Sequence, residues 1–124
     1  MSKKIIVAED SSVIQNLTKK ILSQLNYEIE SVKNGQQVID LLEKDDYGMV
    51  LLDIHMPVMD GMECARQIRS MSGSNKDIPI VAITGNANNY TMEDFEEVGI
   101  NAFIPKPLNY DSVVEMVKKY TDDN

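Results

Sequence analysis

The chain has 124 residues, 43% of them apolar and 26% charged, with a formal net charge of −8. That length is one ordinary domain, able to bury about two-thirds of the surface its unfolded chain exposes. The acidity speaks against nonspecific nucleic-acid binding, which needs a basic footprint, and no apolar stretch approaches the ~20 residues that span a bilayer.

Met1 to Ile6 is similar to a signal peptide only briefly, because Glu9 and Asp10 interrupt the apolar run. A cytoplasmic protein with one domain over residues 1–124 is therefore expected. Cys64 is the only cysteine, which excludes an intrachain disulfide or a cysteine-based zinc cluster. With Met62 and Ala65 beside it, Cys64 reads as helix packing.

Ile5, Ile6, Val7 and Ala8 form a buried-strand run that ends in two acids, Glu9 and Asp10. Ser12-Val13-Ile14-Gln15 has the form of a capping box. Val13, Leu17, Ile21 and Leu25, with Ile14 and Leu22 beside them, predict the apolar face of a first helix. Tyr27 to Val32 alternates, which predicts a half-exposed strand near a sheet edge. Asn34-Gly35 reads as a turn, and Val38, Ile39, Leu41 and Leu42 mark a second helix that ends near Lys44 to Asp46.

Met49 to Leu52 is a second fully apolar strand, and it ends in the single carboxylate of Asp53. A loop with Pro57 and Gly61 follows, then a third helix with Met62, Ala65, Ile68 and Met71 on its apolar line. Ser72 to Asn75 reads as a plain polar loop. Ile78 to Thr84 is a further buried strand, with Pro79 tolerated at its start. A shorter helix carries Met92, Phe95 and Val98 and stops at Gly99. Asn101 to Ile104 is a fifth strand that runs into Pro105-Lys106-Pro107. Asn109 can cap a last helix carrying Val113, Val117 and Tyr120, with Val114 alongside.

Five strands alternating with five helices predict an α/β fold with a parallel sheet and helices on both faces. In such a sheet the carboxyl edge is where ligands sit. The strands deliver Glu9 and Asp10, Asp53, Thr84 and Lys106 to that edge. Two carboxylates ~4 Å apart repel by about 4 kcal/mol at an effective dielectric of 20, so three acids together call for positive charge. Lys106 supplies one charge, and a hard divalent cation bound by oxygen ligands, such as magnesium, supplies two more. Asp10 and Asp53 are the direct ligands expected, with Glu9 reaching the ion directly or through water. A carboxylate beside such a cation, an ammonium and a hydroxyl is suited to accept a phosphoryl group.

These residues occur in family order: Glu9-Asp10, Asp53 with Met56-Pro57-Val58-Met59-Asp60-Gly61, Thr84-Gly85, and Lys106-Pro107. In this respect the chain resembles the receiver domain of two-component response regulators, the CheY-like fold, along essentially its whole length. The resemblance implies the strand order 2-1-3-4-5, which is the order known for CheY itself. It implies that Asp53 takes phosphate from a phosphohistidine on a sensor histidine kinase or histidine phosphotransfer protein. It implies that Asp10, Asp53 and the backbone carbonyl of His55 bind magnesium. It also implies that Thr84 and Phe103 form a switch that alters the surface of the fourth helix, fifth strand and fifth helix, where a downstream protein binds. The Lys106-Pro107 peptide is commonly cis in that family. His55 and Asn86 fall where receivers tune phosphate lifetime, and the role of the His55 side chain stays open.

On this resemblance the protein is not an enzyme beyond its own phosphorylation and dephosphorylation. It is either a stand-alone regulator or a receiver from a hybrid histidine kinase that passes phosphate to a phosphotransfer protein. A haloacid dehalogenase-type phosphatase also uses an aspartate, magnesium, threonine and lysine, but it wants an acid where His55 stands. A degenerate receiver that only binds protein is at odds with the complete set of site residues.

Overall fold

The computed structural model describes residues 4–85 and 90–121. The order of elements is β1 (Lys4–Ala8), α1 (Ser12–Ser23), β2 (Glu28–Val32), α2 (Gly35–Lys44), β3 (Met49–Asp53), α3 (Gly61–Arg69), β4 (Ile80–Thr84), α4 (Met92–Glu97), β5 (Ala102–Pro105) and α5 (Tyr110–Thr121). The sheet has the order β2-β1-β3-β4-β5, and every pairing is parallel. This is the CheY-like topology, and β2 lies at an edge as its alternation predicts.

Side chains alternate across the sheet, so the unbroken apolar strands feed two cores. Ile6, Ala8, Val50, Leu52, Ile80 and Ala82 pack against α2, α3 and α4 through residues such as Val38, Ala65, Ile68 and Phe95. Ile5, Val7, Met49, Leu51, Val81 and Ile83 pack against α1 and α5 through Ile21, Leu22, Val113 and Val117. Both faces of β1, β3 and β4 are thus covered.

Local chemistry differs from the sequence pattern at several helix boundaries. The cap of α1 is Ser11, whose hydroxyl accepts from the Ile14 N–H; Ser12 and Gln15 form no capping box. Val13 and Leu17 are 78% and 45% exposed, and the buried row of α1 is Gln15, Thr18, Ile21 and Leu22. The polar members of that row are satisfied: Thr18 Oγ1 donates to the Ile14 carbonyl, and Gln15 is bonded to the ends of two strands. Asn34 and Gly35 are a helix start, with Asn34 Oδ1 accepting from the Gln37 N–H.

Ser74–Asp77 is a 3₁₀ turn in which Asn75 is buried and donates to the Leu42 and Asp45 carbonyls. That explains why a polar stretch is ordered: it closes the carboxyl end of α2. α3 ends at Arg69, before Met71. Asn109 caps the start of α5 as expected, accepting from the Ser112 N–H.

Candidate functional site

β1 and β3 are neighbours, and each runs out into acid at the carboxyl edge. The carboxylates of Glu9, Asp10 and Asp53 all lie within 4.8 Å of one another. Glu9 and Asp53 are buried, while Asp10 is exposed. The next strands add to the same place. Thr84 ends β4 and is buried, and its carbonyl accepts from the Lys106 N–H at 2.8 Å. The Lys106–Pro107 peptide is cis. Lys106 Nζ lies 3.4 Å from Glu9 Oε1 and 3.4 Å from Asp53 Oδ1.

The loop after β3 is tied back onto the strand it leaves. The His55 N–H donates to Asp53 Oδ1 at 3.3 Å, and the Gly61 N–H donates to the Ile54 carbonyl at 2.9 Å. A Cβ on Gly61 would lie 2.7 Å from the Asp53 carbonyl oxygen, so only glycine lets α3 start this close to the acid. Asp60 caps α3 by accepting from the Glu63 N–H. Val58 takes a left-handed φ of +70° at the centre of a γ-turn closed by the Met59 N–H on the Pro57 carbonyl, and its side chain is 82% exposed. The His55 side chain is exposed.

The electrostatics are those of an acid cluster with too little positive charge. The Glu9 carboxyl is pushed up to about 7, first by burial and then by Asp53 beside it; the Ser11 N–H and the Lys106 charge pull it back only in part. Glu9 Oε1 and Asp53 Oδ2 are buried without a hydrogen-bond partner. A buried carboxylate oxygen without a hydrogen bond is costly, and two of them in one cluster with a single ammonium beside it mark a place for a cation. The donors are all oxygens, which suits magnesium rather than zinc. The cluster therefore fits a divalent cation.

Phe103 is not at the carboxyl edge. It lies on the outer strand β5, level with Ala82 of β4, and its ring stacks on Phe95 of α4 with centroids 5.5 Å apart. Phe95 in turn stacks on Tyr90 at 5.8 Å. On its other side Phe103 borders a groove of about 330 Å³ between β5 and α5, lined also by Pro105, Glu115, Met116 and Lys119. Asn86 lies outside the described residues. Cys64 is buried, and its thiol is pushed up to about 12 by that burial, so it packs and does not react.

Sequence reasoning missed two residues that shape the site. The Ser11 N–H donates to Glu9 Oε2, and Gln15 Nε2 donates to the Glu9 carbonyl. The signal for Gln15 was its place in one helical row with Thr18 and Leu22, a polar residue in a line that turns inward.

Fold and site together define a CheY-like α/β protein with an oxygen-lined acidic cleft at its sheet edge. The sequence matches the response regulator receiver domain over residues 5–118, and the chain belongs to that family. It is 33% identical to hybrid signal transduction histidine kinase I of Dictyostelium discoideum, over 98% of this chain and 8% of that protein. It is 30% identical to two-component response regulator 24 of Arabidopsis thaliana, over 92% of this chain and 81% of that one. Among solved structures it is similar to the receiver domain of a sensor histidine kinase from Pseudomonas aeruginosa PAO1, with 27% identity, a TM-score of 0.88 and 98% of both chains covered. That receiver holds a magnesium ion in its active-site cleft. The chain spans only a small part of the curated kinases it matches. Among the described residues no helix is long and apolar enough to cross a membrane.

Proposed function

We propose that Asp53 is the phosphoacceptor of a two-component phosphorelay, taking its phosphoryl group from a phosphohistidine on a sensor histidine kinase or a histidine phosphotransfer protein. The observation that carries this reading is the under-neutralised cluster of buried Glu9 and Asp53 with exposed Asp10, with Lys106 Nζ between the two buried acids. Asp10, Asp53 and the backbone carbonyl of His55 would hold magnesium, with Glu9 acting directly or through water. When bound, magnesium supplies positive charge against the oxygens of the transferring group.

The chain's own groups do the rest. An Asp53 carboxylate oxygen forms the bond to phosphorus as the phosphorus–nitrogen bond of the donor breaks, and the imidazole leaves with that electron pair and takes a proton. Lys106, already placed at Asp53, balances charge on the incoming oxygens, and the Thr84 hydroxyl donates to one of them. Hydrolysis of the resulting acyl phosphate returns the carboxylate. The protein is thus a switch, not an enzyme acting on other substrates.

Thr84 and Phe103 carry the output. Drawing Thr84 toward the phosphoryl group favours a second packing of the Phe103 ring, which already touches α4 through Phe95. Such a switch needs only a few kcal/mol between two packings. The surface of α4, β5 and α5 then binds a downstream protein, not nucleic acid or membrane. Residues 1–124 act as one cytoplasmic receiver. The similarity to hybrid kinases favours a second placement, as the receiver part of such a kinase passing phosphate to a histidine phosphotransfer protein.

Incubation with magnesium and acetyl phosphate, read by intact-protein mass, tests the assignment. Wild type is expected to gain one phosphoryl group, a gain prevented when magnesium is chelated before acetyl phosphate is added, and Asp53→Asn none. Equal modification of Asp53→Asn overturns it.

A further inference from the structure

β1 stops at Ala8, and the acids that follow it lie outside the sheet's ladder. The last ladder-like bond runs from the Glu9 N–H to the Val32 carbonyl at 3.0 Å. Beyond it, among the described residues, no backbone N–H pairs with the Glu9 carbonyl. Gln15 fills that place. Its side-chain amide donates to the Glu9 carbonyl at 3.0 Å and to the Val32 carbonyl, at the end of β2, at 2.7 Å. The side chain is buried, and so are both bonds.

Because each peptide unit is planar, pinning the units on either side of one Cα fixes both of its dihedrals. The Glu9 N–H belongs to one such unit and the Glu9 carbonyl to the next, which is the unit joining Glu9 to Asp10. Val32 holds the first and Gln15 the second, while Gln15 also grips Val32 itself. The backbone of Glu9, and with it the position from which Asp10 starts, is therefore held from α1 by one amide, while the Ser11 N–H holds the Glu9 carboxylate itself at Oε2. A methylene chain of the same length would fill the space but leave a buried carbonyl unpaired, and the Glu9–Asp10 unit would be free to turn.

We infer that Gln15 is a positioning residue of the acidic cleft: its amide, clamped across the ends of β1 and β2, sets the geometry in which Glu9 and Asp10 take up magnesium. The inference rests on the reading of the cleft as a magnesium-dependent phosphoacceptor site. Outer groups that orient metal ligands typically contribute about 10–100-fold in metal affinity.

The test is magnesium binding by calorimetry on the unphosphorylated protein, with urea unfolding in parallel. Gln15→Met, which keeps length and loses both donors, is expected to bind magnesium about tenfold more weakly. Its phosphorylation by acetyl phosphate should need more magnesium and return to near the wild-type rate when magnesium saturates. Thr18→Val is the control, because Thr18 is buried on the same helix and its hydroxyl bonds only within it. That variant should lose stability and keep wild-type magnesium affinity. Should Gln15→Met fail to fold, Gln15→Asn, one methylene too short to reach both carbonyls, takes its place with the same expected weakening. A folded Gln15 variant with wild-type magnesium affinity overturns the inference, and so does a Thr18→Val variant weakened as much. If wild type itself neither binds magnesium nor takes up a phosphoryl group, the functional reading has failed and the positioning role falls with it.

Discussion

The charge state of Glu9 yields a prediction with a defined sign. Burial and Asp53 raise its carboxyl from 4.5 to about 7, so between those pH values the folded chain holds a proton that the unfolded chain has lost. Stability from this group is therefore fully present below about 4.5 and is lost as pH rises through about 7. At about 1.4 kcal/mol per pH unit, the whole window contributes on the order of 3 kcal/mol. Glu9→Gln mimics the protonated form and removes the window. The expected result, with divalent ions chelated, is that wild type minus Glu9→Gln stability falls by about 3 kcal/mol over that range. On the proposed function magnesium would reverse the balance, because it would bind the deprotonated acid. At pH 6.5 its binding should release a proton in wild type and not in Glu9→Gln, read as a dependence of the calorimetric heat on buffer ionisation enthalpy. Parallel stability profiles for the two proteins, or binding without proton release, would refute the reasoning.

Two further substitutions probe other parts of the same edge. Lys106→Met removes the ammonium that lies 3.4 Å from both Glu9 and Asp53. It should cost about 1–3 kcal/mol in magnesium-free urea titrations, part of which saturating magnesium restores; an unchanged midpoint argues against the pairing. Val58 holds a left-handed φ that a β-branched residue resists. Val58→Gly, with no Cβ to clash at this φ, should raise stability by about 1 kcal/mol, and a lower urea midpoint would show that the γ-turn is not strained there.

What the sequence made legible follows from what a parallel sheet does to it. Strands buried on both faces read as unbroken apolar runs, so Ile5 to Ala8, Met49 to Leu52 and Ile80 to Ile83 declared themselves, and the residues ending them had to meet at one edge. α1 was harder. Its apolar residues Val13 and Leu17 face outward, and its buried row begins with Gln15 and Thr18, because those two satisfy their polar groups locally or on strand ends. Periodicity counts apolar residues and cannot see a hydrogen bond to a carbonyl that only the tertiary fold brings near. The same limit hid Asn75, a loop residue by composition and a buried clamp on α2 in the structure.

The cleft is assembled from two supports that the sequence does not connect. On one side α1 holds Glu9 and Asp10, through the Ser11 N–H and the Gln15 amide. On the other, the loop after β3 holds Asp53 through the His55 N–H, and the turn after β5 carries Lys106. Adjacent β1 and β3 set the distance between the supports, but the groups that face each other across it are all acids except Lys106. A cation at this place therefore does more than join the acids. It replaces a repulsion between the α1 side and the β3 side with an attraction, so occupancy of the cleft and the relative positions of α1 and the loop after β3 become one equilibrium. A residue such as Gln15, which touches no ligand, can then alter affinity by changing how firmly one side presents its carboxylates.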